Sequence, residues 1–149
     1  MYPVGIRVFN FSSLGLFSYA ASYRWSPGWQ PAATCLHQEE VPREDCGCGY
    51  HSCKSFNYLC AKVEYGGLKL HYIYALIEMR GKIVVQEHGY RAQFARVTHI
   101  VACQNILAHL LGTRMANDLE REASDFLKVP LISTRESGKI LRQSADWFK

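Results

Sequence analysis

Along this chain the spacing of apolar residues changes several times, and each change marks an element. Residues 5–11, GIRVFNF, mix β-branched and aromatic side chains at strand density. Ser-Ser-Leu-Gly then supplies a turn, and a second strand runs to Tyr19. From Arg24 to Cys48 no period persists and three of the five prolines occur, so this is a long irregular segment that needs an anchor. Helical spacing returns at Cys53, Phe56, Cys60 and Val63, predicting a helix capped by Ser52 and broken at Gly66-Gly67. Over residues 68–79, Leu68, Leu70, Tyr72, Tyr74 and Leu76 alternate with Lys69 and His71 before both faces become apolar. That is a strand passing from the edge of a sheet to its centre. Arg80-Gly81 reads as a two-residue turn into residues 82–88, closing a hairpin, and residues 95–103 extend the sheet.

The last third is different. Met115, Leu119, Glu122, Ala123 and Phe126 fall at helical steps with charges between them, and Pro130 ends that helix. Residues 130–133 form a short extended piece, and 134–148 a second helix capped by Thr134. Together the elements predict an α+β fold: a small antiparallel sheet at about 68–103 with a zinc-stapled loop at about 24–53, packed by one central and two C-terminal helices.

Composition narrows this picture more than it changes it. A chain of 149 residues has the size of a single domain with one core. Its 48% hydrophobic and 20% charged residues exclude the disordered class. A net charge of +4 and a pI near 8.8 leave a mildly basic surface, below the signature of a dedicated nucleic-acid binder. No run approaches the roughly 18 apolar residues of a membrane span. Arg7 interrupts the N-terminal apolar stretch, which therefore lacks the order of a signal peptide. The cytoplasm is the expected compartment, without membrane association, and the six cysteines then need an explanation other than disulfides.

That explanation lies in Cys35-Leu-His37 followed by Cys46-Gly-Cys48-Gly49, with His51 and Cys53 close behind. Zinc takes four thiolate or imidazole ligands in a tetrahedron, and glycines beside cysteines let backbone amides turn toward the sulfurs. The first ligand set is Cys35, His37, Cys46 and Cys48, holding a structural zinc that orders the proline-rich segment. His51 or Cys53 stands as an alternative to Cys35 or His37. Free or redox-active thiols and disulfides are the competing readings, and a catalytic zinc would take Glu39 or Glu40 as its base.

A second candidate is Glu87-His88-Gly89-Tyr90-Arg91-Ala92, read as a turn displaying acid, imidazole, phenol and guanidinium. Arg91 suits an anionic group and His88 proton transfer, against the plainer reading that Gly89 makes a turn or bulge, Tyr90 packs under the sheet and Arg91 pairs with Glu87 or a carbonyl. Trp25 and Trp29, flanking Pro27-Gly28, are read first as packing over the metal loop and otherwise as an exposed aromatic platform for a base or peptide. His71, His99 and His109 sit in strand or apolar patterns and are read as structural. No phosphate loop, His-Glu-x-x-His helix, nucleophile elbow or dinucleotide fingerprint occurs.

These motifs resemble a family of small uncharacterised proteins from actinobacteria, related phages and other bacteria. The shared text is Trp25-Ser-Pro-Gly28, the pair Cys35 and His37 ahead of Cys46-x-Cys48-Gly49, and paired strands ending in Gly89-Tyr90-Arg91-Ala92, over about two thirds of the chain. The chain departs from the family's pattern at Tyr50-His51-Ser52. The resemblance implies that the cysteine loop and the Gly-Tyr-Arg-Ala turn form one module, and brings no reaction with it. By analogy, a phage origin favours action on a host partner.

The resulting first hypothesis is a binding or adaptor protein for a protein partner, with Trp25, Trp29, Tyr90 and Arg91 as candidate contacts and no catalytic residues assigned. A nucleic-acid-binding zinc protein and a zinc- or thiol-dependent enzyme are the alternatives. Oligomeric state is not legible in the sequence.

Overall fold

A computed structural model describes residues 2–18, 23–35, 41–65, 72–103 and 113–148. The elements are β1 (Val4–Ser12), β2 (Gly15–Ser18), β3 (Arg24–Trp25), β4 (Tyr50–Cys53), α1 (Phe56–Tyr65), β5 (Tyr72–Val85), β6 (Gly89–Ala102), α2 (Thr113–Leu127), β7 (Leu131–Ser133) and α3 (Thr134–Ala145). A last 3₁₀ turn covers Asp146–Phe148. The fold is α+β, with a seven-stranded sheet ordered β3-β2-β1-β4-β6-β5 and β7 joining β6. All pairings are antiparallel except β6–β7.

Strand β5 is apolar on both faces because both are covered. Its odd positions Ile73, Ala75, Ile77 and Met79 join Phe9, Phe11, Trp25 and Ala95 in one core, against which α2 packs Ala123 and Leu127. Its even positions Tyr72, Tyr74 and Leu76 join Ile6, Val8 and Val101 in a second core, closed by Leu59 of α1 and Leu141 of α3. Each large side chain so buried stabilises the fold by about 1.5–3 kcal/mol.

The hairpin is longer than the sequence suggests. β5 runs through Arg80-Gly81, and the chain turns at residues 86–89, where the Gln86 amide donates to the Gly89 carbonyl at 2.9 Å. Arg80-Gly81 is a bulge instead: Arg80 faces Phe94 and Ile83 faces Ala92, so two β5 residues oppose Gln93 alone. Gly81 has φ +76°, and a Cβ there would lie 2.5 Å from the Gln93 side chain. The positive φ that suggested a turn serves the bulge.

Two caps also shift. Ser52 and Cys53 belong to β4, and α1 is capped by Ser55, whose hydroxyl accepts from the Tyr58 amide at 3.2 Å. Ser133 rather than Thr134 caps α3, accepting from the Glu136 amide at 3.1 Å. The start of the expected strand at residues 68–71, together with His109, lies outside the described residues.

β6 holds the irregular segment. Its edge pairs with β4 at Gly89–Ala92 and with β7 at Ile100–Ala102. Between them the Gln93 and Ala95 carbonyls accept from the Ala33 and Gln30 amides, both at 2.8 Å. Gln30 is buried, its side-chain amide bonded to the backbone of Ser26 and Gly28. Polar anchoring thus orders this stretch before any metal is considered.

Candidate metal centre

Cys35 follows the segment docked on β6, while Cys46 and Cys48 sit in the loop leading into β4. The fold brings these three together, with Sγ atoms all within 4.8 Å of one another. The Cys35 and Cys46 sulfurs are 3.5 Å apart, well beyond the roughly 2.05 Å of a disulfide, and none of the six cysteines is joined in a disulfide. The three are half-buried, accessible to an ion yet held by the fold. Hydrogen bonds to Cys35 and Cys46 push the Cys48 thiol up to about 12. Crowded thiols resist ionising together, and a divalent cation reverses that preference.

Two features shape the loop. Pro42 is fully buried, and Gly49, at φ +113°, lies so close that a Cβ would meet the Pro42 side chain at 3.1 Å and the Ala92 carbonyl at 3.2 Å. Gly49 is therefore required for close approach, whereas a Cβ on Gly47 would meet nothing. The second feature is Arg91, 2% exposed on β6. Its guanidinium donates to the Cys46 carbonyl, to the Cys48 carbonyl at 3.0 Å and to the Arg43 carbonyl at 2.8 Å. A fixed cation thus grips the loop backbone around both cysteines and satisfies three carbonyls.

Comparison with protein-family models, with curated proteins and with solved structures finds no match for this chain. The site's meaning therefore rests on its geometry.

Of the sequence-derived ligands, Cys35, Cys46 and Cys48 are brought together, while His37, with Glu39 and Glu40, lies outside the described residues. His51 sits beside the loop, its Nε2 donating to the Gly47 carbonyl at 2.7 Å, but is not among the clustered donors. Cys53 packs into the core on the Ile6 and Val8 side.

The expected partner contacts are largely internal. Trp25 is fully buried against Phe9 and Tyr50, with ring centroids at 5.0 and 5.2 Å, and its indole donates to Ser18 Oγ at 2.9 Å. Tyr90 is 2% exposed and stacks on Phe148, and Arg91 is consumed by the loop. Neither lies in a turn, because β6 begins at Gly89. These three corrections share a cause: apolar rings and an arginine with three backbone acceptors are more stable inside. Trp29 remains half-buried, the guanidiniums of Arg80 and Arg96 lying 4.3 and 4.8 Å from its ring and Tyr2 packing edge-on at 5.6 Å. Among the described residues no helix is long and apolar enough to cross a membrane.

Sequence reasoning missed Gln30 and Pro42, and for Arg91 it offered a carbonyl partner without placing that carbonyl in the cysteine loop. Only the Gly-Tyr-Arg-Ala motif hinted at that link.

Proposed function

We propose that this chain is a zinc-stabilised binding protein without catalytic function, its zinc held by Cys35, Cys46, Cys48 and His37. The observation that carries this reading is the cluster of three sulfurs within 4.8 Å, clamped to the sheet by Arg91. Three thiolates suit a soft, tetrahedral, structural ion. The clamp joins the two motifs behind the family resemblance, which supports treating them as one module.

The partner is a protein, met through the surface around Trp29, where Arg80 and Arg96 lie over the indole. Arg96 is paired with Glu78 at 3.1 Å, so Arg80 supplies the basic group for an acidic segment. Elemental analysis of purified protein, with thiol titration after chelation and denaturation, is the decisive test. About one zinc per chain and six titrating thiols are expected, with Cys46→Ser or Cys48→Ser losing both zinc and thermal stability. No metal together with missing thiols would replace the zinc by disulfides and sink the proposal. Retention on heparin that falls steeply with salt would turn the Trp29 face toward nucleic acid instead.

A further inference from the structure

The pairings β1–β5, β5–β6, β6–β4 and β4–β1 close on themselves, but the last is a single residue pair, Ile6 with Cys53. Where the ring is thinnest a pocket opens, bounded by β1, β4, the first turn of α1 and the tip of the β5–β6 hairpin. Its volume of about 530 Å³ lies within the range of about 300–1,000 Å³ that holds small molecules.

The lining combines three kinds of group. Ile6 and Leu59 give apolar surface. Tyr58 and His88 form a flat wall, their rings stacked at 4.3 Å and 19°. Arg7 and His51 bring polar groups: Arg7 donates to the His51 carbonyl at 2.7 Å and to Ser18 Oγ at 3.1 Å.

Arg7 is the anomaly. Its Nε is closed off from solvent and has no hydrogen-bond acceptor among the described residues. Among those residues no carboxylate lies within ion-pair distance of it either. The one acid at the pocket, Glu87, is turned to solvent, its side chain 86% exposed and paired with His88 at 3.4 Å. The guanidinium lies over the Phe9 and Trp25 rings at 5.6 and 5.3 Å and holds a carbonyl and a hydroxyl, but no anion among the described residues meets its charge. That is a costly arrangement, which an incoming anion would relieve. Burial pulls Arg7 down to about 10, the same cost seen from the proton's side.

We infer that this pocket binds a small molecule carrying an oxyanion, a phosphate or carboxylate, beside a flat ring: the anion meets Arg7 and the ring lies against the Tyr58–His88 wall. The site is distinct from the cysteine cluster and touches that loop only through His51, whose ring bonds the Gly47 carbonyl.

Phenyl phosphate, titrated into the intact protein and followed by amide chemical shifts, tests the inference. Saturable shifts confined to Arg7, Cys53, Tyr58 and Gln86–Gly89 are expected. Benzyl alcohol, which has the ring without the charge, is expected to bind at least about tenfold more weakly. Benzoate and inorganic phosphate as further probes assign the anion to carboxylate or phosphate. Arg7→Gln is expected to weaken phenyl phosphate at least about tenfold while zinc content is unchanged. Should that variant fail to fold, His88→Ala, at a half-exposed hairpin position, is expected to weaken phenyl phosphate but not inorganic phosphate. Equal binding of benzyl alcohol and phenyl phosphate, or the absence of any saturable shift, overturns the inference.

Discussion

The β5–β6 hairpin and the cysteine loop are ordered by opposite means. The hairpin carries apolar side chains on both faces and pairs almost continuously from Tyr74–Val101 to Val85–Tyr90. The loop has no ladder. Its order comes from polar anchors, namely Arg91 on three carbonyls, His51 on Gly47 and the three converging sulfurs, together with Pro42 buried against Gly49. Burial is additive and forgiving, while polar anchors act together and leave unsatisfied groups behind when one is lost. The loop should therefore break at single residues, and the hairpin should weaken by degrees.

Arg91→Ala is the severest test of that contrast outside the metal ligands. It strands the carbonyls of Arg43, Cys46 and Cys48, and a loss of about 3–5 kcal/mol in denaturant unfolding is expected, with weakened zinc retention. Arg91→Lys should rescue little, because one ammonium cannot reproduce the planar fork. A variant as stable as wild type would show that the loop is not held by Arg91. Next comes Leu76→Ala, at a fully buried position of the second core. Its expected cost is about 2–5 kcal/mol with zinc stoichiometry unchanged; loss of metal in that variant would mean that hairpin and loop are one cooperative unit.

The smallest effect concerns pH. Glu120 of α2 is 7% exposed, and burial raises its carboxyl to about 7 even though it accepts from the Cys103 amide at 3.1 Å, a bond that favours ionisation. The folded state therefore holds this proton more tightly than the unfolded chain. Its contribution is fully present below the ordinary carboxyl value of 4.5 and is lost as pH rises through about 7. Wild-type Tm should fall relative to Glu120→Gln between those limits, and melts with identical pH profiles would refute the assignment.

The same contrast explains what could be read in advance. Strands β1 and β2, the second half of β6 and helices α2 and α3 were legible because long periodic patterns report burial directly. The hairpin turn was misplaced because a glycine at positive φ serves a turn and a bulge equally, and only the continued pairing of Ile83–Val85 with Tyr90–Ala92 distinguishes them. The sulfur cluster was legible from chemistry and spacing. For Trp25, Tyr90 and Arg91 the inward and outward readings both stood, since an aromatic ring or a guanidinium looks the same in sequence whether it faces a partner or its own backbone, and the fold takes the inward one. Arg7 was noticed only as an interruption of an apolar stretch, because nothing local reveals a missing counter-charge.

The order of the strands also sets an order in time. β5 and β6 meet across a tip of four residues, whereas β1 reaches β5 only by closing the long stretch between Asn10 and Tyr72. Short closures are fast and long ones slow, so the hairpin is expected to nucleate folding, with the N-terminal strand and then the cysteine loop docking late. Interactions made after the barrier slow escape from the native state without hastening arrival. A zinc ion held in that loop as proposed should therefore act as a kinetic latch, its removal raising the unfolding rate in a chevron experiment while the refolding limb stays in place.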